Sequence, residues 1–274
     1  MNVSEALSKG RAVLANGLEA QVLLAFAMKK SKEFCFAHPE FRLASASLKK
    51  YRVAVAKRSQ GVPVAYLTGH REFFGLDFFV TPAVLIPRPE TELVVELALE
   101  QLGSKNMTLC DVGTGSGCIA VTLAKKRPDI NVVAVDISPR ALQVARKNAR
   151  LHDVQDRVEL LQSDLLSKIT TRHFDGLVAN LPYIGKSENH LVEREVVEHE
   201  PSEALFAGET GLELFEKLFA QIALMNPPPR WLIAEMGFSQ KPALQKLIKK
   251  YFGNKHVVWK NDLAGLPRCF VLIL

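Results

Sequence analysis

An asparagine, a proline and a tyrosine stand within four positions at the end of an apolar run, Val178-Ala179-Asn180-Leu181-Pro182-Tyr183-Ile184. Asn180 can accept a hydrogen bond from a substrate N–H through its side-chain oxygen, and the Leu181 carbonyl can accept a second. Pro182 fixes the turn and biases Leu181 towards extended backbone. Tyr183 offers a flat wall to a planar group. An amide nitrogen is a poor nucleophile because its lone pair is delocalised into the carbonyl. A clamp of this kind orients such a nitrogen and draws electron density towards it, and alignment then supplies much of the rate. The chemistry it suits is methyl transfer to an amide or amino nitrogen, with Asn180, Pro182 and Tyr183 as the catalytic candidates. An ordinary strand-end turn with Tyr183 in the core would use the same residues.

Upstream lies a glycine-rich turn, Asp111-Val112-Gly113-Thr114-Gly115-Ser116-Gly117, between an apolar run and a helix-like run. Glycine permits a tight turn and a close backbone approach to a ligand. Nicotinamide and flavin enzymes use such turns too. Here Cys118 rather than glycine follows Gly117, and Asp111 precedes the turn. A carboxylate there would repel a pyrophosphate and tolerate a cation, which favours S-adenosylmethionine, a cofactor with an amino group, a sulfonium and no phosphate. Asp136 closes the next strand-like run and can accept both ribose hydroxyls. Asp164 can meet the adenine amino group with Leu165 against the ring, although a helix cap is a competing role for Asp164. The cofactor candidates are therefore Gly113, Thr114, Gly115, Ser116, Gly117, Asp136, Asp164, Leu165 and Asn180.

The elements that must position these groups alternate. Strand-like runs are Thr108–Val112, Asn131–Asp136, Val158–Gln162, Asp175–Asn180, Trp231–Met236, His256–Trp259 and Cys269–Leu274. Helix-like runs are Ile119–Lys126, Arg140–Leu151, Leu212–Met225 and Gln240–Tyr251. Alternation of this kind implies an α/β fold, a mostly parallel Rossmann-like sheet covered by helices on both faces. Ligands in such folds bind at the carboxyl ends of strands, where both motifs stand. Residues 4–60 read as helices instead, with Val22, Leu23, Phe26 and Ala27 and then Leu48, Tyr51 and Val55 at helical spacing. Aromatic and β-branched residues flank Gly75 in 71–81 and suggest a short hairpin. Pro82, Pro87 and Pro89 follow, and Pro89 with Glu90 and Glu92 suits the first turn of a helix running to Leu102. The expected organisation is a helical domain at 1–70, a hairpin linker at 71–86 and a methyltransferase domain at 87–274.

At 274 residues, 48% hydrophobic and 23% charged, the chain has the composition of a soluble globular protein with ample core. Its longest apolar stretch, Leu18 to Met28, is too short and too polar to span a bilayer. The N-terminus lacks a basic start followed by an apolar core, so no secretion signal is read there. Cys35, Cys110, Cys118 and Cys269 show no C-x-x-C pairing and read as buried reduced thiols of a cytoplasmic protein. No histidine pattern demands a metal. His190 and His199 among glutamates fit a solvated acidic segment. Residues 1–70 hold 11 Lys/Arg against 4 Glu, a net +7, whereas 71–274 hold 24 Lys/Arg against 25 Asp/Glu, a net −1. The basic clusters could face an acidic protein or RNA, or simply solvate helix faces. Trp231 and Trp259 read as packing residues.

The chain resembles the PrmC/HemK family of glutamine methyltransferases. The resemblance runs through Gly61-Val62-Pro63-Val64-Ala65-Tyr66-Leu67-Thr68-Gly69, Glu72-Phe73-Phe74-Gly75-Leu76 and Val84-Leu85-Ile86-Pro87-Arg88-Pro89-Glu90-Thr91-Glu92. The glycine turn, the clamp, Glu200-Pro201 and Ala204-Leu205 complete it. It implies methyl transfer from S-adenosylmethionine to the glutamine of the Gly-Gly-Gln loop in class-1 peptide-chain release factors. It implies that the helical domain holds the release factor. It carries the family's Asn-Pro-Pro-Tyr onto Asn180, Leu181, Pro182 and Tyr183, and puts Pro87 to Glu92 near the catalytic mouth. Arg88 and Glu90 join the clamp as substrate-binding candidates, with an interdomain salt bridge as the other role open to Arg88. The acidic segment Glu188 to Glu200 can close over the peptide or form a plain surface loop. Leu181 departs from the family proline but keeps the carbonyl.

Three other functions share these features. They are glutamine methylation of a ribosomal protein, adenine methylation of RNA or DNA with Tyr183 stacked on the base, and a non-catalytic RNA-binding module. Intact Asn180 and Asp136 speak against the last. A monomer is the expected state, with no membrane association, no stable nucleic-acid contact and no metal.

Overall fold

The structure is a computed structural model and describes residues 1–103, 106–186 and 192–274. It divides into two compact units, one of Met1–His70 with Arg194–His199, the other of Arg71–Glu193 with Glu200–Leu274.

The first unit is helical. Helix α1 (Val3–Leu14) starts at a capping box in which the Asn2 side chain accepts from the Glu5 N–H and Glu5 accepts from the Asn2 N–H. Asn16 caps α2 (Gly17–Met28) and Ser31 caps α3 (Lys32–Ala37). Helices α4 (Ser45–Arg58) and α5 (Val64–Thr68) follow. Leu23, Leu24, Ala27, Tyr51 and Val55 form the core with Val3 and Ala6. Phe26 is only partly buried, with the Lys50 ammonium 3.7 Å from its ring centroid. Helix α2 is apolar nearly all round, so residue type alone does not say which side faces inward. Arg58 joins Glu19 on α2 to Glu195 on the short helix α9 (Arg194–His199) at 2.9 and 2.8 Å.

The second unit opens with a hairpin, β1 (His70–Phe73) and β2 (Leu76–Phe79). Phe74 and Gly75 have φ of 54° and 74°, the pair of positive values that a two-residue type I′ turn requires. Phe73 and Phe78 are fully buried in the core of the sheet body, so the hairpin packs as part of that body. A short 3₁₀ turn (Pro89–Thr91) leads into α6 (Glu92–Gln101). The strands β3 (Thr108–Val112), β4 (Asn131–Asp136), β5 (Val158–Gln162), β6 (Gly176–Ala179), β7 (Trp231–Glu235), β8 (Val257–Asn261) and β9 (Pro267–Ile273) then form one sheet. Its order is β5-β4-β3-β6-β7-β9-β8. The first five are parallel, and β9 runs antiparallel between β7 and β8.

The parallel strands read as continuous apolar runs because both sheet faces are covered. Helices α6, α7 (Cys118–Lys126) and α8 (Pro139–Leu151) supply one face, with Val95, Ile119 and Leu123. Helices α10 (Glu213–Ala223) and α11 (Lys241–Phe252) supply the other, with Phe215, Phe219 and Leu244. From β3 the chain builds outward through β4 and β5, then returns to place β6 and β7 on the opposite side. The sheet therefore has its topological switch point between β3 and β6, where an open α/β sheet binds ligands. The carboxyl ends of those two strands carry the glycine turn and Asn180.

Candidate active site

A cavity of about 430 Å³ opens at this switch point. Its size lies within the range of small-ligand sites. Gly113, Thr114 and Ser116 line it from the turn after β3, Asp136 and Ile137 from the end of β4, Ser163, Asp164 and Leu165 from the end of β5. Asn180, Leu181 and Pro182 line it from the end of β6, and Pro87, Arg88 and Thr91 from the segment before α6.

The glycine turn needs its glycines. Gly113, Gly115 and Gly117 have φ of 76°, 56° and 80°, where other L-residues are strained. A Cβ on Gly117 would also stand 3.2 Å from the Ala145 backbone. The Asp136 carboxylate braces the turn, accepting from the Gly115 N–H at 2.9 Å and from the Ser138 N–H at 2.8 Å. Each of its oxygens keeps a further lone pair for a ligand hydroxyl. Burial raises the Asp136 pKa above its ordinary value, against those two hydrogen bonds. A diol acceptor beside apolar Ile137 and Leu165 fits a nucleoside, so the residues present suit the ribose and adenine of S-adenosylmethionine.

Asp111 does not face the ligand. It is fully buried and absent from the cavity wall. One oxygen accepts from the Thr114 hydroxyl at 2.6 Å and from the Ala120 N–H at 3.2 Å. Its role is to tie the turn to the start of α7, and burial pushes its pKa up to about 7. Contrary to the expectation from sequence, Asp111 is turned inward and is not placed to repel a pyrophosphate. Asp164 lines the cavity and pairs with Lys217, and among the described residues its side chain makes no capping hydrogen bond. Leu165 holds φ of 51° and is buried against the cavity.

The clamp is held from behind. The Asn180 Nδ2 donates to the Thr91 hydroxyl at 2.9 Å. Thr91 Oγ1 donates to the Glu235 carboxylate at 2.6 Å. The Tyr183 hydroxyl donates to the other Glu235 oxygen at 3.1 Å. Among the described residues Asn180 Oδ1 has no partner, and it is the free polar atom of a side chain that lines the cavity. Gln240 fixes the far end, its Nε2 donating to the Tyr183 carbonyl at 2.7 Å. Leu181 is buried, and its side chain lies 3.0 Å from where a Cβ on Gly113 would stand. The residue in the family's proline position thus packs the clamp directly on the cofactor turn.

With this geometry established, sequence comparison places the chain among its relatives. A family profile described as "PrmC N-terminal domain" matches residues 5–69, and one described as "Methyltransferase small domain" matches 90–210. The release factor glutamine methyltransferase of Koribacter versatilis is 43% identical over 256 residues, covering 93% of this chain and 90% of the relative. That of Moorella thermoacetica is 40% identical over 278 residues, covering 99% and 98%. The chain belongs to the release factor glutamine methyltransferase family. Solved structures similar in fold include the N-terminal domain of human METTL16 in complex with SAH, at a TM-score of 0.54 and 15% identity, covering 91% of this chain and 93% of that one. A methyltransferase from Pyrococcus furiosus gives 0.53 and 15%, covering 81% and 96%. Both likenesses are of fold. A member of this methyltransferase family uses S-adenosylmethionine, as the diol acceptor and glycine turn lead one to expect.

Several sequence-based expectations about the site need correction. Tyr183 does not line the cavity; it packs partly buried beside the core under α10 and α11, and its hydroxyl is bound to Glu235. Its hydroxyl ties the Asn180 turn to β7 through Glu235. Gly115 and Gly117 shape the turn without lining the cavity, and Glu90 is exposed and is not among the lining residues. Arg88 lines the cavity, and its guanidinium pairs with buried Glu200 of the same unit in place of the expected interdomain partner. Glu200 also accepts from the Ile86 N–H at 2.9 Å. His190 and the start of the acidic segment from Glu188 lie outside the described residues. Further along, His199 Nε2 lies 3.3 Å from the Gln60 carbonyl.

Glu235 and Gln240 have no role in the sequence reading, and Thr91 enters it only within the Pro87 to Glu92 stretch. Glu235 carried a signal: a lone carboxylate closing the apolar run Trp231-Leu232-Ile233-Ala234, at the ligand-binding end of a strand. All four cysteines are free and buried, and burial pushes the Cys118 thiol up to about 12. Trp231 is buried in the core, and Trp259 packs against Phe270. Among the described residues no helix is long and apolar enough to cross a membrane.

Proposed function

We propose that the chain transfers a methyl group from S-adenosylmethionine to the side-chain amide nitrogen of the glutamine in the Gly-Gly-Gln loop of class-1 peptide-chain release factors. The observation that carries this reading is Asn180: its amide is fixed by its own N–H, leaving a free acceptor oxygen on a side chain that lines the same cavity as Asp136. When bound, the cofactor supplies an electrophilic methyl carbon on a sulfonium. Asn180 Oδ1 accepts one N–H of the glutamine amide, and the Leu181 carbonyl accepts the other. Both acceptors grow more favourable as positive charge develops on that nitrogen. Leu181, Pro182 and Leu85 exclude water from the reacting nitrogen. Asp136 holds the ribose, with Asp164 and Leu165 at the adenine. Arg88 lies where it can meet the backbone of the loop.

The helical unit, with its net +7 over residues 1–70, is the surface offered to the release factor. The protein acts as a cytoplasmic monomer without stable nucleic-acid contact. The packing of Tyr183 supports an amide over a stacked nucleobase as the acceptor. The reading is tested with labelled S-adenosylmethionine and purified release factor. Label is expected on the factor and is expected to vanish when its loop glutamine is changed to alanine. Label that survives the change, or that appears only on RNA, would reject it.

A further inference from the structure

An asparagine side chain can present either its oxygen or its nitrogen, and the two flips differ by only which atoms they touch. The clamp works in one of them. If Nδ2 faced the substrate, two N–H donors would meet and the acceptor would be lost. The structure contains a device that selects the flip, formed by Thr91 of the cavity lining and Glu235 behind it. Glu235 is fully enclosed at the end of β7 and accepts from two hydroxyls, Thr91 at 2.6 Å and Tyr183 at 3.1 Å. A threonine hydroxyl has one proton. Burial raises the Glu235 pKa, against the hydrogen bonds from Thr91 and Tyr183; in its ionised form the carboxylate holds that proton, and Thr91 Oγ1 offers only lone pairs to Asn180. It can accept from Nδ2, at 2.9 Å, and cannot donate to Oδ1. The wrong flip would set two acceptors against each other and strand an N–H.

We propose that Thr91 and Glu235 are positioning residues that lock the Asn180 amide so that Oδ1 meets the substrate nitrogen. The inference rests on the amide-methylation reading for its consequence, while the lock itself is a property of the protein alone. Thr91 comes from the turn before α6, Asn180 from the end of β6 and Glu235 from the end of β7. The relay thus sets the clamp by three elements of the sheet body. Tyr183 shares the same carboxylate, so both ends of the clamp report to one buried group.

Three measurements separate the outcomes. Thr91→Val keeps the shape of this buried side chain and removes the hydroxyl; Thr91→Ser keeps the hydroxyl and removes the methyl. With release factor as substrate, Thr91→Val is expected to lose kcat by about 10- to 100-fold, the scale of a misplaced reacting group. Its KM for the factor and its Kd for the cofactor are expected to stay within about threefold, since the valine keeps the shape of the cavity lining and the lost hydroxyl is bound to Asn180 and Glu235. Thr91→Ser is expected to recover most of the turnover. Independently of activity, and in the unaltered protein, one side-chain amide proton of Asn180 should exchange slowly with solvent by NMR. Both protons exchanging at free rates, equal losses in the valine and serine variants, or full turnover in Thr91→Val would overturn the lock. Absence of methylation by the unaltered protein, with slow exchange present, would count against the reaction assignment and leave the lock standing.

Discussion

Replacing Asp111 by asparagine tests how the cofactor turn is anchored. In the folded protein burial raises this carboxyl from its ordinary 3.8 to about 7, against the opposing hydrogen bonds from Thr114 and Ala120. A carboxyl whose folded pKa lies above its unfolded value prefers to fold with its proton on. Its favourable term is complete below pH 3.8, shrinks as the pH rises, and is lost once the pH passes 7. At about 1.4 kcal/mol per pH unit, the wild-type protein should lose about 2.5 kcal/mol from this group between pH 5 and pH 8. Asparagine keeps the oxygen that accepts from Thr114 and Ala120, and it cannot ionise. Its NH₂ would fall where the second Asp111 oxygen has no partner, a cost of about 1–3 kcal/mol that does not vary with pH. Groups remote from the turn titrate alike in both proteins and cancel in the comparison, whereas Asp136, which also raises the Asp111 pKa, takes part in the change. Urea unfolding followed by circular dichroism at pH 5 and pH 8 measures the difference directly. The asparagine variant should be the less stable protein at pH 5, and the gap should close or reverse at pH 8. A gap that stays constant across the range would refute the reasoning, because it would mean that Asp111 folds as a carboxylate throughout.

Two further substitutions probe the clamp. Asn180→Ala removes the acceptor oxygen and should cost about 3 kcal/mol in the transition state, roughly a hundredfold in kcat, with release-factor binding retained in a pull-down. Methylation at the wild-type rate would exclude the clamp mechanism. Leu181→Pro restores the residue usual in the family but withdraws a buried side chain from the core behind Gly113; a stability loss of about 2 kcal/mol is expected in thermal or urea unfolding, with methylation retained. A variant more stable than wild type would show that turn rigidity outweighs this packing.

Much of the fold was legible because parallel strands buried on both faces advertise themselves as short apolar runs. Strands β3, β4 and β5 match their expected ranges, and β6 stops at Ala179, which leaves Asn180 just beyond the sheet. Strand order was less accessible. Nothing in the local pattern of Cys269–Leu274 states that β9 enters antiparallel between β7 and β8, since that choice is made by long-range pairing. At the site, Gly113, Asp136, Asn180 and Leu181, chosen by type and spacing, come together around one cavity. Residues that act from behind were missed or given the wrong face. Asp111 and Tyr183 have polar atoms that suggest contact with a ligand, yet both spend them on the protein, one on α7 and one on Glu235. Thr91 and Glu235 lie 144 positions apart in sequence, and only folding reveals their hydrogen bond.

A structure of the enzyme with the demethylated cofactor and a release factor bound tests the central claim most directly. The loop glutamine nitrogen is expected within hydrogen-bond reach of Asn180 Oδ1 and the Leu181 carbonyl, with Asn180 Nδ2 still on Thr91. A glutamine seated elsewhere, or an asparagine rotated to present its nitrogen, would contradict the account.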